Sequence, residues 1–182
     1  MSTSPRKAPE PAYHHGDLRR ALIDATAKIV AREGTAAVSL REVARLAGVS
    51  HNAPYRHFES LEALLAAVAT EGFEAFRERL EEAAAKASPA RRKHALGRAY
   101  LDFALDNPRL YLLMFGPDLD KPAFPALQKA AHSAFAVLTD ATAKGGHTRA
   151  IGAWAFVHGL AHLILDKQIR RNDPAIAALL AE

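Results

Sequence analysis

The stretch that decides the fold is SLREVARLAGVSHNAPYRHF, residues 39–58. It opens on Ser39 with Glu42 three residues on, the spacing of a capping box that starts a helix. Val43, Leu46 and Ala47 then share one helical face. Gly48 follows where the chain must leave that helix in a left-handed conformation, which glycine adopts without strain. Ser50 stands where it would cap a second, short helix running to Phe58. Two short helices joined by Ala47-Gly48-Val49 make a helix-turn-helix, whose second helix would enter a DNA major groove by its N-terminal residues. A helical hairpin that merely packs inside a bundle has the same spacing, so spacing alone leaves both readings open.

On the DNA-binding reading, the groove-facing residues are Ser50, His51, Asn52 and Ala53. Asn52 can bond a base edge bidentately, and His51 can donate or accept. Tyr55 and His57, one turn on, suit phosphate oxygens, which fix register without reading sequence. The helix starts at Ser39 and Ser50 present free N–H groups to phosphates. Pro54 lies inside the second predicted helix. Its missing N–H forfeits one intrahelical bond, and its ring would stiffen the segment.

Outward from this stretch the pattern stays helical. Leu18, Leu22, Ala25 and Ile29 line one face of a helix that stops at Gly34. Ser60 starts a long helix to about residue 87, with Leu61, Leu64, Leu65, Val68, Phe76 and Leu80 inward. Further helices are expected at about 89–105, 108–115, 123–144, 148–170 and 174–181. Pro89, Pro108 and Pro174 follow the capping-type residues Ser88, Asn107 and Asp173, where a missing N–H costs nothing. Gly145 and Gly146 break the chain between two of these helices. No β-alternation of useful length occurs. The expectation is an all-α fold of nine helices, with residues 1–12, rich in proline, forming a flexible arm.

Composition narrows the function. The 182 residues are 49% hydrophobic and 24% charged, enough apolar material for a core. Cysteine is absent, which excludes disulfides, thiolate metal sites and cysteine nucleophiles. No apolar run reaches the roughly 18 residues of a membrane span, and no apolar signal region opens the chain, so a cytoplasmic protein without a membrane partner is expected. The net charge of +4 permits a polyanionic partner without establishing one. Residues 1–60 carry nine Lys/Arg against six Asp/Glu, a modest excess. No Ser/His/Asp constellation, phosphate-cradling glycine loop or paired carboxylates appear, so neither an enzyme nor a cofactor is implied.

Three segments, YHHGDLRRALIDAT (13–26), SLREVARLAGVS (39–50) and HNAPYRHFESLEALL (51–65), resemble the TetR family of transcriptional regulators. The glycine turn, Ser50 and Tyr55-Arg56-His57-Phe58 are the most specific parts, and the resemblance covers about a third of the chain. It implies a homodimer bound to a pseudo-palindromic operator on double-stranded DNA, usually a repressor released by a small ligand. By matching positions, His51 and Asn52 would read bases, and Ser39, Tyr55 and His57 would hold phosphates. The family commonly has a lysine three residues after the His-Phe pair, where this chain has Leu61, and a plain core-facing residue where it has Pro54. The resemblance divides the chain into a DNA-binding domain at 13–65 and a ligand-binding and dimerisation domain at 66–182.

The C-terminal part is less specific. Ala153-Trp154-Ala155-Phe156-Val157-His158-Gly159 looks like the Trp/His-Gly helix of one TetR subgroup. The family's last two helices pair across a two-fold axis, here about 148–170 and 174–181. The small residues Gly152, Ala153, Gly159 and Ala161 would permit close approach there, or simple packing within the chain. Tyr100, Phe103, Tyr111, Met114, Phe115, Phe135 and Trp154 are core residues by spacing. The resemblance makes them the lining of a pocket for an apolar or aromatic effector, with His158 and His162 as its polar groups. His158, His162 and Asp166 recur at i, i+4 and i+8, a polar stripe or, alternatively, a metal site. The competing function is therefore a helical metal-responsive or protein-interaction module.

Overall fold

In the computed structural model, which describes residues 15–141 and 146–181, eight α-helices and four 3-10 turns occur and no strand is present among the described residues. The helices are α1 (His15–Glu33), α2 (Leu40–Leu46), α3 (Leu61–Lys86), α4 (Arg92–Asp106), α5 (Pro108–Phe115), α6 (Pro125–Ala141), α7 (Gly146–Leu165) and α8 (Pro174–Ala181). The arm at 1–12 and the glycine at 145 lie outside the described residues.

The expected caps hold the starts of α2 and α3. Ser39 Oγ accepts the Glu42 N–H at 3.2 Å, and Ser60 Oγ accepts the Ala63 N–H at 3.1 Å. At the end of α2, Gly48 adopts φ +69°, its N–H reaches the Arg45 carbonyl, and the Val49 N–H reaches that of Ala44. These two crossing bonds form a Schellman motif, with the glycine at its left-handed position.

Two expectations need correction. The third helix, anticipated from Ser50 to Phe58, is a 3-10 turn at Pro54–Arg56. Pro54 cannot donate to the Ser50 carbonyl. That carbonyl accepts Ala53 N–H at 2.9 Å, and Arg56 and His57 also bond three residues back. The proline thus replaces an α-helical turn with a tighter one, and Ser50 makes no side-chain cap. The helix expected to run to residue 170 stops at Leu165. Lys167 takes φ 60° there, and the bonds Lys167 N–H to Ile164 and Gln168 N–H to Leu163 repeat the Schellman pattern without a glycine to announce it.

The 26-residue helix α3 organises the fold, packing against α1, α4, α5 and α6. Its first turns share a core with α1 and α2 through Leu22, Ile29, Val43, Phe58, Leu64 and Val68, all buried. Its later turns bury Phe73, Phe76 and Leu80 beneath α4 to α6. Residue 65 therefore lies inside a helix that both parts of the chain share. At Gly72 a side chain would stand 2.8 Å from Met114 Sδ, so glycine lets α5 approach α3 closely. Helix α7 packs on α4 and α6, and α8 on α4.

Candidate DNA-binding surface and ligand cavity

The turn after Gly48 presents polar side chains outward. Ser50, His51 and Asn52 are exposed, Tyr55 is 63% exposed, His57 is half-buried, and Ser39 is exposed at the start of α2. Ala53 departs from expectation. It is buried with Pro54, because the tight turn rolls both under the chain, and it cannot reach a base. Behind the turn, Phe58 is buried and carries the Arg19 guanidinium over its ring at 5.2 Å. This anchors the turn to α1 through packing and a cation–π contact.

A cavity of about 500 Å³ opens among α3, α5, α6 and α7. Phe73 and Phe76 come from α3 and Phe115 from α5. Ala131, Ala134, Phe135 and Leu138 come from α6, and Trp154 and His158 from α7. Lys121, Pro122, Gln128 and His132 complete the wall. Its size and mostly apolar lining suit a small organic molecule.

Four of the expected pocket residues, Phe115, Phe135, Trp154 and His158, line this cavity. Tyr100, Phe103, Tyr111 and Met114 do not, being buried in the packed layer behind it, and His162 is not part of the lining. Aromatic spacing could not separate lining from backing, since both sets face inward. Gln128, Ala131, His132 and Leu138 share with Phe135 an i, i+3/i+4, i+7 stripe on α6 that was legible in the sequence; of that stripe only Phe135 was expected, and Phe73 and Lys121 were not.

The backing layer holds a polar network. The hydroxyls of Tyr111 and Tyr100 lie 2.6 and 2.9 Å from His158 Nδ1 and 3.1 Å from each other. Trp154 Nε1–H donates to the Tyr100 hydroxyl at 3.3 Å. Burial pushes the Tyr100 hydroxyl up to about 12, and burial, then the neighbouring Tyr100, pushes Tyr111 higher still. Burial, then the His162 charge, pulls His158 below its ordinary value. All three groups are therefore neutral near pH 7. An imidazole that accepts at Nδ1 from a tyrosine hydroxyl carries its proton on Nε2, whereas the other tautomer donates from Nδ1 to a tyrosine oxygen. The His162 ring lies 4.7 Å from that of His158, but Asp166 is exposed. Among the described residues no cluster of three or more metal-ligating side chains forms.

Helix α5 touches both regions. Tyr111 and Phe115 face the network and cavity, while Arg109 donates to the Ala31 carbonyl at 3.1 Å and also to that of Arg32, at the C-terminal end of α1. The guanidinium thus satisfies carbonyls that the helix end leaves open and complements its dipole.

Two family models match consecutive parts of this arrangement. Residues 22–68 match "Bacterial regulatory proteins, tetR family", and residues 93–182 match "Tetracyclin repressor-like, C-terminal domain". The chain belongs to the TetR family. As a TetR-family protein it is a DNA-binding transcriptional regulator and not an enzyme. A structure of a protein with unknown function from Rhodococcus sp. RHA1 is 34% identical, with a TM-score of 0.78, covering 94% of this chain and 95% of that one. The multidrug binding protein EbrR complexed with ethidium shares the fold at 24% identity and a TM-score of 0.73, covering 90% of this TetR-family chain and 96% of its own. An HTH-type transcriptional regulator of Bacillus subtilis (strain 168), YobS, itself uncharacterized, is 28% identical over 96 residues, 53% of this chain and 50% of YobS. The match thus spans half the length of that curated relative. No helix among the described residues is long and apolar enough to cross a membrane.

Proposed function

We propose that this TetR-family regulator binds a pseudo-palindromic operator as a homodimer and leaves it when a small molecule enters the cavity. The observation that carries the reading is the aromatic-lined cavity, walled by the same α3 that begins beside the exposed turn. Asn52 and His51 would read bases, while Ser39, Ser50, Tyr55 and His57 would hold phosphates. His158 would face the effector from the cavity wall, and EbrR, which binds ethidium in the same fold, supports a small-molecule effector. Phe73, Phe76 and Phe115 would feel the occupant, and α3 and α5 would carry the displacement to α1 and the turn. Two reading turns must match major grooves about 34–36 Å apart, so a small rotation suffices. The effector must prefer the conformer that cannot bind DNA, or it shifts nothing.

A dimer through α7 and α8 is supported by an apolar stripe. Ile151, Phe156 and Leu163 are each more than 40% exposed, with Gly152, Ala155 and Gly159 between them, and Leu179 is exposed on α8. A side chain at Gly152 or Gly159 would meet nothing within 4 Å in its own chain, whereas Ala161 is buried there. A self-complementary patch of this kind fits two-fold pairing, which operator symmetry would mirror. A gel shift with the DNA upstream of its own gene tests the proposal. Retardation that survives competitor DNA, by a species of dimer mass in light scattering, is expected. Equal affinity for unrelated DNA would sink it.

A further inference from the structure

The polar groups of the cavity are unevenly signed. Its wall contains Lys121 but no aspartate or glutamate. Lys121 sits half-buried in the turn before α6, makes no ion pair among the described residues, and is held below the ordinary lysine value by burial alone. The neighbouring acids do not neutralise it. Asp120 is exposed, and Asp118 faces the Thr35 hydroxyl at 3.4 Å. Gln128 and His132, one turn apart on α6, add donors to the same wall. Phe135 lies about 10 Å further along α6 from Gln128, at 1.5 Å per residue, and packs on Trp154 with ring centroids 5.3 Å apart. Lys121 thus joins the wall just before α6 begins, and the Phe135–Trp154 pair joins it from the middle of that helix.

We infer that the cavity selects an amphipathic carboxylate, its anionic head on Lys121 with Gln128 and His132, and its apolar or aromatic body against Phe73, Phe76, Phe135 and Trp154. The inference rests on the proposed role of this cavity as the effector site and names the class it takes. A carboxylate gains a charge-assisted bond to a lysine that pairs with no acid among the described residues. An organic cation of the same shape meets that lysine and finds no acid. A neutral amide leaves the lysine's charge uncompensated.

The test uses three probes of one shape, 6-phenylhexanoate, 6-phenylhexanamide and 6-phenylhexylamine, with Trp154, the single tryptophan, as reporter. The acid should bind about tenfold or more tightly than the amide, and the amine most weakly. In Lys121→Met the acid should fall to the amide's affinity while the amide is unchanged, which also shows that the variant is folded. Equal or tighter binding of amide or amine, persistence of the acid preference in Lys121→Met, or no binding of any probe would overturn the inference. Gel shifts with each probe separate the two readings. If the acid binds through Lys121 but does not release DNA, the effector role fails and the charge selection stands. If only the amide or amine releases DNA, the effector role stands and the charge selection fails.

Discussion

The Tyr111 hydroxyl lies 2.6 Å from His158 Nδ1, joining α5 to α7 beneath the floor of the cavity. Helix α5 also carries Arg109, whose guanidinium caps the end of α1. One eight-residue helix thus bonds both to His158 and to the end of α1. Tyr111→Phe removes the hydroxyl and leaves buried polar atoms short of a partner, at a cost of about 1–3 kcal/mol. Chemical denaturation should show that loss. Gel shifts should show operator binding by the free protein nearly intact, with release by effector weakened. If operator binding is intact and release by effector is unaffected, α5 is not the connection.

His158 gives stability a pH dependence of known sign. Its folded value lies below its ordinary value near 6.5, so the unfolded chain takes up the proton first. The stability is complete above about pH 6.5 and is lost as pH falls through the folded value. Replacing it by glutamine, neutral throughout, should flatten the fall in melting temperature on acidification relative to the parent. Parallel curves for parent and His158→Gln would assign the acid sensitivity elsewhere.

Much of this fold is legible in the sequence. The capping serines at 39 and 60 and the left-handed glycine at 48 are local chemistry, and local chemistry is written residue by residue. The segment after Gly48 departs from expectation at Pro54: Ala53, Arg56 and His57 each bond three residues back, where the sequence suggested the loss of a single helical bond. The cavity was half legible. Trp154 and His158 stood out by type, but whether Tyr111 lines a void or backs it depends on how α5 tilts against α3, set by Gly72 and Met114 across 42 residues of sequence. Lys121 carried no signal at all, since a lysine in a proline-containing loop reads as solvated.

Gly48 is held by backbone conformation alone. Its φ is +69°, yet an added side chain would meet nothing within 4 Å. Gly48→Ala should therefore destabilise by about 1–2 kcal/mol, the left-handed cost of an L-residue. Gly48→Asn should cost less, because asparagine visits that region more readily. Equilibrium unfolding of the three proteins gives the ranking directly, and an alanine variant as stable as the parent would contradict it.

Asn52 and Tyr55 should separate specificity from affinity. Both are exposed on the turn, and they are proposed to meet different parts of the duplex. Asn52→Ala should weaken specific binding by about 1–3 kcal/mol and spare non-specific binding. Tyr55→Phe should weaken both together, as a lost phosphate contact does. An unchanged ratio of specific to non-specific affinity in Asn52→Ala would remove it from base reading.

The open glycine on α7 sharpens the test of the dimer. In a chain alone, Gly159→Leu has room, since the space above that glycine is free of atoms within 4 Å. It should also fold at least as well, because glycine inside a helix costs about 1 kcal/mol relative to better helix formers. In a dimer built on the stripe of Ile151, Phe156 and Leu163, the same leucine would sit between helices where only a small residue permits close approach. Gly159→Leu should therefore retain its helical circular dichroism and monomer stability while shifting to monomer mass in light scattering. Operator affinity should fall with it, because one turn reaches only a half-site. Phe156→Arg should do the same through charge rather than bulk. Should both variants remain dimers of parental affinity, the pairing face lies elsewhere on the molecule, and the exposed stripe on α7 needs another partner.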